Sequence, residues 1–273
     1  MRELLAHGTL PASACRNALR QFVAPLIAGG VLAWQPRGAG QQLVVSDQKR
    51  FAEFVATAYP LSADELGASL SARASGVARY RDSKALVNDA REIVSVRAWS
   101  DDGLRCDGNP MPATAHTARY GVFSFLLEFG NRHTLHETCA LVENPAVFTA
   151  FEHLALPVKI VILGRGRISQ RLLDWFGGQL DPGFALVHLP DYDPVGMNEF
   201  ERLGTRLGNR VRLHVPGDLS QRFARFGNRE LLKKGNSQTM LAQLRHSKSP
   251  EVLRVVKWID RYNAGLEQEA LLL

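Results

Sequence analysis

Hydrophobic and polar positions change rhythm twice along the chain. Over residues 12–27 apolar side chains recur at helical spacing, Pro11 suits an early helix position, and Gly29-Gly30 stops the run. VLAWQ and QLVVS then alternate about a turn-prone PRGAGQ, which predicts a β-hairpin with Arg37 at its basic, glycine-rich tip. Asp47 stands where it can cap a further helix over 48–59. Helices followed by a hairpin predict a winged-helix-like domain over residues 1–62, a module that grips either DNA or a partner protein. Residues 63–125 read as an α+β connector. It has helical spacing at 63–70 and 83–91, strand-like alternation from Ile93 to Trp99, and basic Arg79, Arg81 and Lys84 around Tyr80.

In the last part, residues 126–273, apolar strand-like runs alternate with amphipathic helices. TCALVE precedes PAVFTAFEHL, VKIVILG precedes SQRLLDWFG, FALVHL precedes MNEFERLGTRLG, and VRLHV closes the series. This repetition predicts an α/β domain with a mainly parallel sheet flanked by helices. Ligands of such sheets sit beyond the carboxyl ends of the strands. Two of those ends carry acids: Glu143 follows the first strand, and Asp191 and Asp193 follow the third, in PDYDPVG. Carboxylates crowded together repel unless a cation neutralises them or a proton is shared. Hard oxygen donors favour Mg2+ or Mn2+ over zinc. Two such ions, roughly 4 Å apart, can activate water and stabilise the leaving oxygen of a phosphodiester. The competing reading makes Asp191 and Asp193 plain turn residues before Pro194 and Gly196. An EF-hand loop is excluded, because Val195 stands where an oxygen ligand belongs and Arg202 where the closing glutamate belongs.

Charge adds a partner to this picture. The net charge is +6, but thirteen Lys and Arg against three acids fall between Arg202 and Lys257, a local +10. The excess is mostly arginine, whose planar fork matches phosphate oxygens, so nucleic acid is the expected polyanion. Arg222, Arg225, Arg229, Lys233 and Lys234 are the candidate phosphate contacts there, with Arg37 on the hairpin. Arg165 and Arg167 open a helix in a GRGRIS turn, where backbone N–H groups favour anions. That turn lacks the third glycine of a dinucleotide fingerprint. His133, His136 and Glu137 run HxxHE, the wrong order for a zinc protease. His188 reads as a satisfied core histidine.

An apolar content of 45% excludes wholesale disorder, and no run approaches the roughly 18 to 20 apolar residues of a membrane span. Glu3 and His7 interrupt the opening segment where a secretory peptide is apolar. Cys15, Cys106 and Cys139 are far apart and odd in number, which argues for a reducing cytoplasm.

Together, ALVENPAVF, VKIVILGRG and HLPDYDPVG resemble the Toprim domain, with a Glu after the first strand and a DxD after a later one. The DYDPVG form is similar to the branch holding topoisomerase VI A subunits and the meiotic recombination nuclease. VENPAVF and the closing GLEQEALL, Gly265 to Leu272, resemble the Toprim nuclease subunit of Wadjet-type plasmid-defence systems. The resemblance implies a metal-dependent DNA endonuclease that hydrolyses phosphodiesters of double-stranded plasmid DNA without strong sequence specificity. It also implies a homodimer working beside SMC-like and kleisin subunits, near the nucleoid, with no membrane. Its catalytic, metal-binding set carries over to Glu143, Asp191 and Asp193 around two Mg2+ or Mn2+ ions, and the EQE match adds Glu267 and Glu269 as ligands. Topoisomerase VI relatives cleave with a tyrosine on the winged helix, but residues 12–27 contain none. Water is therefore the expected nucleophile. A non-catalytic DNA-binding scaffold and a topoisomerase-like strand-cleaving subunit are the alternatives.

Overall fold

A computed structural model describes residue 4 and residues 7–38, 40–58, 92–128 and 132–273. The chain divides into two compact units between residues 90 and 91. In the first, Thr9–Pro11 (β1), Leu32–Arg37 (β2) and Gly40–Val45 (β3) form an antiparallel sheet in the order β1-β3-β2. Asn17–Ala28 (α1) and Gln48–Ala58 (α2) add Val23 and Phe51 to a core of Leu10, Leu32 and Leu43. The hairpin and both helices lie where the apolar rhythm predicts them. The start of α1 does not. Residues 12–14 form a 3-10 turn, and Arg16 is extended before the helix begins. Pro11 is the cause: it closes β1 opposite Gln42 on an edge strand, where a residue without an N–H is tolerated. The elements expected at 63–70 and 83–91, and the basic cluster around Tyr80, lie outside the described residues.

The second unit holds a six-stranded sheet. Its strands are Glu92–Ala98 (β4), Phe123–Leu127 (β7), Thr138–Val142 (β9), Ile160–Leu163 (β10), Ala185–Leu189 (β11) and Val211–Leu213 (β12), in the order β12-β11-β9-β10-β4-β7. The strands β9 to β12 run parallel, whereas β4 is antiparallel to β10 and β7 antiparallel to β4. Leu104–Cys106 (β5), Asn109–Pro110 (β6) and His133–Leu135 (β8) form a separate three-stranded sheet. Cys139, Ala140, Leu141 and Val142 are all buried, which is why β9 reads as a continuous apolar run, as a parallel strand covered on both faces must.

Among the described residues, seven α-helices accompany these strands: Ala113–Tyr120 (α3), Pro145–Thr149 (α4), Gln170–Gly177 (α5), Pro194–Leu207 (α6), Leu219–Phe226 (α7), Ser237–Leu244 (α8) and Pro250–Tyr262 (α9). Pro145, Pro194 and Pro250 occupy first-turn positions behind the side-chain caps Asn144, Asp193 and Ser249. No helix among the described residues is long and apolar enough to cross a membrane.

Residues 92–127 do not act as a connector: they supply β4, α3 and β7 to this unit. Arg97 on β4 locks them in. Nearly buried, it donates to the carbonyls of Phe148, Thr149 and Gly121 and forms a paired contact with Glu152 at 2.5 and 2.7 Å. Replacing it strands those acceptors, so Arg97→Ala is expected to cost about 3 kcal/mol, read as a lower urea midpoint.

Chain order then decides where a ligand can sit. From β9 the chain moves to β10 on one side, and it later returns to β11 on the other side of β9. The connections leave the β9 and β11 ends in opposite directions, which opens a crevice between them.

Candidate functional site

The ladder between β9 and β11 ends at the Val142–Leu189 pair. Glu143 and Pro190-Asp191 are the next residues on each strand, so the two acid-bearing ends lie side by side. The Asp191 amide donates to Glu143 Oε2 at 3.3 Å. Asp191 Oδ1 accepts the Gln268 amide at 2.8 Å. Asp193, only 5% exposed, caps α6 by accepting the Gly196 amide on Oδ1 at 2.8 Å. The turn-residue reading of Asp193 thus holds as far as the cap goes, but its buried carboxylate also contributes charge to the cluster.

The electrostatics bear this out. Burial, then the Asp191 charge, raises the Glu143 carboxyl to about 7. Asp191 is raised to about 6, chiefly by burial, with the charges of Asp193, Glu269 and Glu267 adding to it and the Gln268 amide opposing. Asp193 is likewise held above the usual carboxylate range by burial, while the Gly196 and Val195 amides and the Lys234 charge pull it back. Glu143, Asp191, Asp193, Glu267 and Glu269 therefore feel one another, although they come from three separate stretches of chain. Glu267 is exposed, and Glu269 accepts from the Asn144 side-chain amide.

Among the described residues, no three His, Cys, Asp or Glu side chains already stand in a chelating arrangement. Glu143, Asp191 and Asp193 each turn one carboxylate oxygen onto a backbone N–H. The donor set still fits a hard divalent cation: it is all carboxylate, contains no thiol or imidazole, and is penalised when ionised without a counter-charge.

Two sets of cations flank the acids. A β-carbon on Gly166, in the turn after β10, would lie 3.6 Å from Glu143 Oε1, so this turn passes close to the acid. Arg165 and Arg167 on either side of Gly166 are exposed, and Arg165 has a left-handed backbone at φ 55°. Lys234 is exposed and its charge acts on Asp193. Arg225 and Arg229 are exposed, and Lys233 pairs with Glu230 at 2.6 Å. Arg222 differs from its neighbours. It is bound to Asp218 at 2.8 Å and donates to the Ala270 carbonyl, which spends its guanidinium inside the protein. Arg37 is exposed on the hairpin of the first unit.

Two residues that sequence reasoning passed over support the site. Glu199, 5% exposed, accepts the Ile168 amide at 3.2 Å and is clamped by Arg202 at 2.6 Å, so it fixes the turn carrying Arg165 and Arg167. A carboxylate on the inward face of α6, in step with Gly196, Leu203 and Leu207, was the available signal. The other is Gln268, fully buried between the two glutamates that drew attention instead. His188 lies in the core, but its Nδ1 has no hydrogen-bond partner, so it is buried without being satisfied. Burial lowers it to about 3. His136 is bound by Asp181 at 2.6 Å and by Thr134 at 2.8 Å, away from the acids in sequence and in bonding. Tyr192 is fully buried and donates its hydroxyl to the His214 carbonyl at 3.0 Å. Tyr59 and Tyr80 lie outside the described residues.

No family model matches the chain, and no curated protein matches it.

Proposed function

We propose that the second unit is a Toprim-type, metal-dependent DNA endonuclease domain, acting as the nuclease subunit of a Wadjet-type, SMC-like anti-plasmid complex. One observation carries this reading: Glu143 and Asp191, from adjacent parallel strand ends, share a buried acidic cluster at the point where the sheet order reverses. Glu143, Asp191 and Asp193 would hold Mg2+ or Mn2+, with Glu267 and Glu269 at the rim. When bound, the cation supplies Lewis acidity at a phosphodiester.

The protein's own groups do the rest. Arg165 and Arg167 bind phosphate beside Glu143, and Lys234 binds it beside Asp193, so the strand crosses the acids between them. Arg225, Arg229 and Lys233 extend that path without reading bases, which makes binding salt-sensitive. As an alternative to ligation, Glu143 would act as the general acid or base. Water is the nucleophile in this reading, and the buried, hydrogen-bonded Tyr192 is not available for the role. Double-stranded plasmid DNA, a homodimeric state, kleisin and SMC-like partners and a cytoplasmic site of action belong to the same proposal.

The scaffold alternative draws support from the Asp193 cap and from the lack of a ready chelating trio. Incubation of the full chain with closed circular DNA separates the readings. Nicking or linearisation with Mg2+ or Mn2+, abolished by chelator, is the expected result. DNA retention without cleavage under both metals favours the scaffold, and protein left covalently attached to a DNA end favours a topoisomerase-like reaction.

A further inference from the structure

We infer that Gln268 is the positioning residue that holds the Glu143 and Asp191 strand ends at a fixed separation. Where the β9–β11 ladder stops, its side-chain amide takes the place of a peptide group. Oε1 accepts the Asn144 amide, next after Glu143, at 2.8 Å, and Nε2 donates to the Leu189 carbonyl, two residues before Asp191. Its own backbone amide donates to Asp191 Oδ1 at 2.8 Å. One residue thus bonds both diverging strand ends and one of the acids themselves, and it does so with no solvent exposure.

The direct link between the acids is weaker, since the Asp191 amide reaches Glu143 Oε2 only at 3.3 Å. Past the last ladder pair, Val142–Leu189, the amide bridge acts against the mutual repulsion of the two carboxylates. The segment around Gln268 is itself anchored. Leu266 and Tyr192 exchange backbone hydrogen bonds at 2.8 and 3.1 Å, Asn228 and Gly265 do so at 2.8 and 3.0 Å, and Arg222 donates to the Ala270 carbonyl. Neither neighbour can substitute. Glu267 is exposed and Glu269 already accepts the Asn144 side-chain amide, while a glutamate at 268 itself would lose the donor that Leu189 needs and add a negative charge beside the acids. The bridge stands on these contacts alone; its consequence for a divalent cation rests on the nuclease reading.

Amide hydrogen exchange followed by NMR on the full chain tests it. In the wild type the Gln268 side-chain amide is expected to be strongly protected; exchange at the free-amide rate would overturn the bridge. In Gln268→Leu the Asn144 and Asp191 amides are expected to exchange at least about tenfold faster; in Gln268→Glu, which keeps the acceptor for Asn144 but loses the donor to Leu189, the Asp191 amide alone is expected to do so. Ladder amides such as those of Ala140 and Val187 are expected to keep their protection. Unchanged exchange at Asp191, or an equal loss across the whole sheet, would overturn the positioning role. Mn2+ titration separates the two proposals: wild-type binding weakened at least about tenfold in both variants supports positioning of a metal site. Equal binding in wild type and variants overturns that role. No binding to the wild type, with the exchange pattern as expected, would leave the bridge standing and remove the metal.

Discussion

Asp191→Asn is expected to lower magnesium-dependent nicking of closed circular DNA by at least about a hundredfold, while raising the thermal stability of the metal-free chain. The two effects have one cause. Asp191 and Glu143 are raised to about 6 and about 7, mainly by burial and then by neighbouring negative charge, so their ionised forms are disfavoured in the fold. A group raised above its unfolded value contributes stability that is complete below that value and lost as pH climbs through the folded one. Here the loss runs from about pH 4 to about pH 7, and by pH 7.5 it amounts to something on the order of 3 kcal/mol for each acid taken alone. The stability gained by Asp191→Asn over the wild type in chelator should therefore be larger at pH 7.5 than at pH 5, a comparison in which the opposing contribution of the buried, lowered His188 cancels, and added Mg2+ should remove much of the gain.

Asparagine keeps the oxygen that accepts the Gln268 amide but carries no charge, so it relieves the repulsion and removes a cation ligand at once. Thermal melts at both pH values, with and without Mg2+, alongside single-turnover nicking, measure both effects. Retained nicking would remove Asp191 from the site, and a lower melting temperature in chelator at pH 7.5 would mean that the acids are not in conflict.

Gly196→Ala is expected to destabilise the second unit by about 3 kcal/mol and to abolish nicking. A β-carbon at this position would overlap the Asp191 carbonyl oxygen and approach Pro190 Cβ to 2.9 Å. Both atoms belong to the strand end that carries the acid, so neither can yield as a flexible side-chain tip would. Relief requires the start of α6 to move away from Asp191, which also breaks the Gly196-to-Asp193 cap. Gly204→Ala on the same helix is the control. Nothing lies within 4 Å of its added carbon, and the better helix propensity of alanine should leave it neutral or up to about 1 kcal/mol more stable. Urea midpoints compare the two, and equal midpoints would show that the close approach at Gly196 does not constrain the fold.

Much of the local structure was legible in the order of residues. Period-two and continuous apolar runs marked β9, β10 and β11, because a strand covered on both faces excludes polar side chains. Asn144-Pro145, Asp193-Pro194 and Ser249-Pro250 stand at helix starts, where such residues satisfy or dispense with free amides, yet the second pair reads equally as a turn before a helix beginning at Met197. The positions of Glu143 and Asp191 at strand ends followed from the same pattern. The alternation of Ile93–Trp99, which falls within the expected 63–125 connector, suits any half-buried strand and says nothing about which sheet receives it, so only the tertiary structure adds residues 92–125 to the second unit. Arg222 was read as a surface cation because its two anchors, Asp218 and the Ala270 carbonyl, include one 48 residues away.

By itself the chain's pattern determined which segments are strands or helices and which of them end in acids. Burial of one face, and satisfaction of the nearest backbone amides, are local requirements that each segment must meet wherever it lands. Only the tertiary structure decided that β11 lies beside β9 instead of beyond β10, that Glu143 and Asp191 meet there, and that Gln268 closes the gap between them. Those contacts join residues 48 and 124 positions apart, and their pairing depends on sheet order and helix crossing, which no local periodicity encodes.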